Sequence, residues 1–134
     1  MAALDGVQDY LKVFCDVRRV VAAKFPELEK VRMAICPEIA RRRKAHRDPL
    51  ERKRSFGHTG HVDATVCVHP KIFKLDLPFM IGLTFHEFGH LIAVPRGLTG
   101  QSDADGVIGQ YFDVPIFYDG RLDLEWTPAE YLYG

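Results

Sequence analysis

Apolar side chains recur at three- and four-residue steps through the first part of the chain, at Val7, Tyr10, Leu11, Phe14, Val17 and Val21. This spacing puts them on one helical face and predicts an amphipathic helix over residues 4–25. Asp5 is placed to cap its start and Pro26 to stop it. The period then changes to two. Val31, Met33 and Ile35 alternate with Lys30, Arg32 and Ala34, which predicts a strand over 30–36 closed by Pro37. Residues 55–61 carry Gly57, His58, Gly60 and His61 and read as a loop into a second strand over 62–69. There Val62, Ala64, Val66 and Val68 share one face, and Asp63, Thr65, Cys67 and His69 the other.

A longer apolar stretch follows over 78–93, with Pro78 suited to a first helical turn and Pro95 and Gly97 beyond its end. A shorter helix is expected over 102–112, with Ser102 or Asp103 at its cap. Gly106 and Gly109 disfavour that helix by propensity and suggest instead that another helix approaches closely. Tyr118-Asp119-Gly120-Arg121 signals a hairpin turn within 114–126. The pattern as a whole predicts an α+β fold, as one domain over 1–134. Its parts are an N-terminal helix, a small mixed sheet, a long apolar helix and a shorter helix beside it.

Composition narrows the partners. The 134 residues carry no formal net charge, but 1–70 hold 14 Lys/Arg against 9 Asp/Glu and 71–134 hold 4 against 9. A neutral total argues against wholesale nucleic-acid binding. The segment 41–54, with eight basic and two acidic residues, leaves room for a local, weak nucleic-acid contact, although a solvated loop is the favoured reading. It lacks interleaved aromatic residues, so a stacking platform for single strands is unsupported. Cys15, Cys36 and Cys67 form no CxxC pair, so a cysteine zinc knuckle is not supported. They are expected as buried small hydrophobes in a reducing, cytoplasmic setting. No stretch reads as long and apolar enough to span a bilayer, and no membrane partner is expected.

The chemistry concentrates in His86-Glu87-Phe88-Gly89-His90. On a helix, residues four apart lie on one face, so His86 and His90 project together and can share a metal ion. Neutral imidazole suits zinc. Glu87, one step round the helix, reaches a water activated by that ion, takes its proton and hands it to a leaving amine. Chance alone yields HExxH in about one chain in 100 of this composition, so its context matters. Here it lies on an apolar helix that follows an alternating strand, and Gly89 lets another backbone come close.

A catalytic zinc wants a third protein ligand and an open position. No histidine follows His90, and the nearest carboxylates are Asp103 and Asp105. Asp103 is expected as the ligand and Asp105 as acceptor of a ligand histidine's free ring N–H, with the two roles exchangeable. His58, His61, His69, Tyr111, Tyr118 and Arg121 are all available to stabilise an oxyanion, and the sequence does not choose among them.

The stretch from Phe79 to Pro115 resembles the small gluzincin-like metallopeptidases, in particular the ImmA/IrrE-like family found in phages and mobile elements. The resemblance is carried by His86–His90, by Asp103-Ala104-Asp105 and by Val114-Pro115. It implies a small zincin-like (minigluzincin) domain that hydrolyses peptide bonds of a protein or peptide substrate with Zn2+. It also implies that Thr65, Val66, Cys67 and Val68 form an edge along which an extended peptide lies. The family's third ligand is usually Glu, so Asp103 departs from it. Two other readings stand beside this one: an inactive zinc-binding interaction module, and a nucleic-acid-associated protein that uses 41–54.

Overall fold

The computed structural model describes residues 3–35, 57–60, 65–68, 72–73, 75–117 and 120. It is a mixed helix and sheet structure. Helix α1 (Ala3–Lys24) leads through a short 3-10 turn (Pro26–Lys30) into β1 (Arg32–Ile35). Strands β2 (Gly57–Gly60) and β3 (Thr65–Val68) come next. Helix α2 (Leu77–Ala93) and helix α3 (Gln101–Phe112) complete the described elements, joined through a 3-10 turn at Val94–Arg96. The basic segment 41–54 and most of the expected 114–126 hairpin lie outside the described residues. At the latter, the Gly120 N–H donates to the Phe117 carbonyl at 2.8 Å, and Gly120 has φ +84°.

The buried face of α1 is made by Tyr10, Val13, Phe14, Val17 and Val21, each at most 2% exposed. Those positions follow the 3.6-residue period, and the expected Leu11 falls off the face at 37% exposure. Cys15 is an exposed free thiol, which corrects the expectation of a buried one. It stands on the outer side of the same helix, one residue past the face that turns inward.

The sheet order is β1-β3-β2, with β1 parallel and β2 antiparallel to β3. Residues 57–60 are therefore a strand and not the loop their glycines suggest. Pairing with β3 outweighs the weak strand preference of glycine. A second correction concerns β3. It has a strand on each side, so residues 65–68 offer no open edge to a peptide. Val66 and Val68 are buried, and Thr65 is buried as well, as befits a central strand.

Helix α2 is the beam of the molecule. Asp76 caps it by accepting from the Phe79 N–H at 2.9 Å, with Pro78 in the first turn. Val94–Arg96 tightens its end, and Gly97 closes it in a left-handed conformation at φ +79°. Helices α1 and α3 and strand β2 pack around it. By length and composition Leu77–Arg96 is apolar enough to cross a membrane, contrary to the sequence expectation, but most of it is buried inside the protein's own core. An all-round apolar helix is what a core helix requires.

One polar link ties α1 to α2. Tyr10 is fully buried, with its hydroxyl 3.3 Å from Thr84 Oγ1, and Thr84 in turn donates to the Met80 carbonyl at 2.6 Å. Burial raises the Tyr10 pKa, the Thr84 hydrogen bond opposes this and the nearby Glu87 charge adds to it. A raised folded value keeps Tyr10 neutral where an unfolded tyrosine ionises, above pH of about 10. Its contribution is complete below that pH and is lost as pH rises further. Tyr10→Phe is expected to cost about 1 kcal/mol at neutral pH and to shallow the alkaline fall in stability. Denaturant unfolding at pH 7 and pH 11 checks this. Parallel pH dependences in the two proteins would refute it.

Candidate metal centre

Helix periodicity brings His86 and His90 to one face of α2, as the spacing requires. Their rings stand edge to face, with centroids 4.7 Å apart and Nε2 atoms 3.1 Å apart. Ligand atoms of His86, Glu87 and His90 all lie within 4.8 Å of one another, close enough to hold a metal ion. His86 and Glu87 are each only 4% exposed, and His90 is half-buried, so the pair opens outward through His90.

Asp105 fixes the inner histidine. Its Oδ1 lies 2.6 Å from His86 Nδ1 within the protein interior. A carboxylate accepts, so His86 Nδ1–H donates and His86 Nε2 is turned toward His90. Burial works against a charged His86. The Asp105 hydrogen bond, the Glu87 and Asp105 charges and the Gln101 contact outweigh burial and raise its pKa.

Glu87 is buried on the same helix, and its Oε1 has no hydrogen-bond partner among the described residues. Burial pushes its carboxyl up to about 7, with the His86 charge lowering it and the Asp105 charge raising it. A carboxyl poised near neutrality both takes up and gives back a proton at physiological pH. A buried acceptor with no partner is costly in a finished core and points to a ligand or water as its complement.

The structure does not bring Asp103 to the histidines. Its Oδ2 accepts from the Gly100 N–H at 2.9 Å, closing the first turn of α3, where Gly100 is the cap in place of the expected Ser102 or Asp103. The residue that does reach them is Gln101, which sequence reasoning missed. Its Oε1 is 2.7 Å from His86 Nε2 and 3.0 Å from His90 Nε2. The three atoms form a nearly equilateral triangle. Donor atoms around a tetrahedral zinc stand about 3.3 Å apart, so this triangle is somewhat tighter than one face of such a site and would open slightly to take an ion.

One backbone contact makes the arrangement possible. A Cβ on Gly89 would fall on the Ala104 carbonyl of α3, with its carbonyl carbon at 2.8 Å and its Cα at 3.1 Å. Helices α2 and α3 therefore meet backbone to backbone at Gly89, between the histidines of one and the Gln101 and Asp105 of the other. The expectation that Gly106 and Gly109 mediate this approach is corrected. A side chain on Gly106 would meet nothing within 4 Å, and one on Gly109 only the Val114 carbonyl at 3.9 Å.

Among the oxyanion candidates, Tyr111 is placed elsewhere. Ten residues along α3 from Gln101, it lies about 15 Å away. Its ring packs edge to face on Phe25, with Arg96 over both rings. His58 lies in β2, while His61, His69, Tyr118 and Arg121 fall outside the described residues. No protein-family model, no curated protein and no solved structure matches the chain.

Proposed function

We propose that the chain is a zinc-dependent peptidase with a zincin-like architecture, in which His86 and His90 hold the metal and Glu87 handles the proton. The observation that carries this reading is the pair of Nε2 atoms 3.1 Å apart beside a buried glutamate whose Oε1 has no partner among the described residues. A zinc ion bound there would supply Lewis acidity, polarising a carbonyl and making a water acidic. Glu87 receives the proton of the attacking water and delivers it to the leaving amine. Asp105 holds the His86 ring so that Nε2, and not Nδ1, faces the site.

Peptide backbone needs an open strand edge, and among the described residues β2 is bordered by β3 alone. Strand β2 also packs on α2. The substrate-holding role first expected of Thr65–Val68 passes on this reading to Gly57–Gly60.

The test joins metal analysis with Glu87→Gln. The wild-type protein is expected to bind about one zinc per chain and to cleave an unfolded protein substrate. Glu87→Gln should keep the metal and lose at least about a thousandfold in rate. Equal inertness of both proteins on a broad peptide library would favour an interaction module. Absence of zinc after refilling would overturn the reading. Salt-sensitive DNA or RNA binding, lost when Arg41, Arg42, Arg43 and Lys44 are neutralised, would favour the nucleic-acid function instead.

A further inference from the structure

We infer that Gln101 is the third protein ligand of this centre, binding through its side-chain Oε1 and completing an uncharged set of two imidazoles and one amide carbonyl. The inference rests on the metal-centre reading and sharpens it. Three observations carry it. Gln101 Oε1 is in contact with both histidine Nε2 atoms at once, at 2.7 and 3.0 Å, and so marks the point on which the open face of the site converges. Gln101 is an exposed residue, yet its polar end is turned inward onto the histidines. An exposed glutamine gains rotamer freedom by pointing into water, so its inward setting needs partners that reward it. Lastly, residues 101 and 105 are four apart and share one face of α3, whereas residue 103 is roughly 200° round from 101. The face that seats Asp105 on His86 therefore also seats Gln101 on the histidine pair, and the same geometry turns Asp103 away.

The donor type has consequences. An amide oxygen is a weaker donor than a carboxylate and adds no negative charge to offset the ion's own. The centre then holds zinc less tightly than a carboxylate-bearing one of the same shape. Asp105 supplies its charge through His86 and not directly.

The experiment is zinc titration against a chromophoric chelator, with zinc alone as the probe. It uses wild type, Gln101→Ala, Gln101→Glu, Asp103→Ala, His86→Ala and His90→Ala, each checked for folding by circular dichroism. Gln101→Ala is expected to weaken zinc binding by at least about tenfold, and Gln101→Glu to tighten it by a similar factor. Asp103→Ala should stay within about threefold of wild type, since among the described residues Asp103 closes the helix cap and does not reach the histidines. Wild-type affinity in both Gln101 variants would overturn the inference, as would loss of zinc in Asp103→Ala with wild-type affinity in Gln101→Ala. In either case loss of zinc in the histidine variants leaves the centre itself standing. If the wild-type protein takes up no zinc, the centre and the inference fall together.

Discussion

Gly89→Ala is expected to destabilise the protein by about 3 kcal/mol or more and to abolish metal retention. The new methyl group has nowhere to go. It falls on the Ala104 backbone, and neither partner has a side-chain torsion with which to move aside. Relief requires α3 to back away from α2 as a unit. That motion draws Asp105 off His86 and Gln101 off both histidines, because all three contacts cross the same interface. Gly106→Ala is the matched control. Its Cβ meets open space at an exposed position of α3, so the change should stabilise by about 0.5–1 kcal/mol. Thermal or urea unfolding of the two variants should move in opposite directions. An unshifted midpoint for Gly89→Ala would show that the helices are not held at backbone contact.

Asp105→Ala is expected to cost about 2–3 kcal/mol and to weaken zinc binding by about 10–100-fold. The stability loss comes from the buried His86 Nδ1–H, which would lose its acceptor in a place water reaches poorly. The affinity loss comes from the ring itself. Without Asp105 nothing described holds His86 in the tautomer that offers Nε2 to an ion. Asp105→Asn separates the two effects. An amide oxygen still accepts from Nδ1–H, so most of the stability should return while the charge-dependent share of the affinity does not. Chemical denaturation and zinc competition on the two variants measure these separately. Equal zinc affinity in wild type and both variants would remove Asp105 from the metal centre.

The legible parts of the sequence were those written in periodicity. The 3.6-residue repeat of Tyr10, Phe14, Val17 and Val21 located α1, and the alternation at Val66 and Val68 located β3. The His86–His90 spacing located the inner wall of the site, since four-residue spacing on a helix leaves little freedom. What the sequence left open depended on tertiary placement. Gly57–Gly60 is a strand only because β3 pairs with it, and β3 lost its edge for the same reason. Charge marks metal ligands in a sequence and so points to carboxylates for a third donor. Gln101 carries no such mark. A signal was nonetheless present, in that Gln101 and Asp105 stand one helical turn apart, while Asp103 and Asp105 do not share a face.

Helix α2 is both a largely buried core helix and the carrier of His86 and Glu87. In a saturation mutagenesis screen, the phenotypes of most α2 positions would therefore be indistinguishable. A damaged core and a damaged centre would both appear as lost protein. Only the residues at the mouth escape this overlap, the half-buried His90 and the exposed Gln101. Substitutions there should yield soluble, abundant and functionally silent protein. That separation of abundance from function would locate the centre on the folded surface without any knowledge of its substrate.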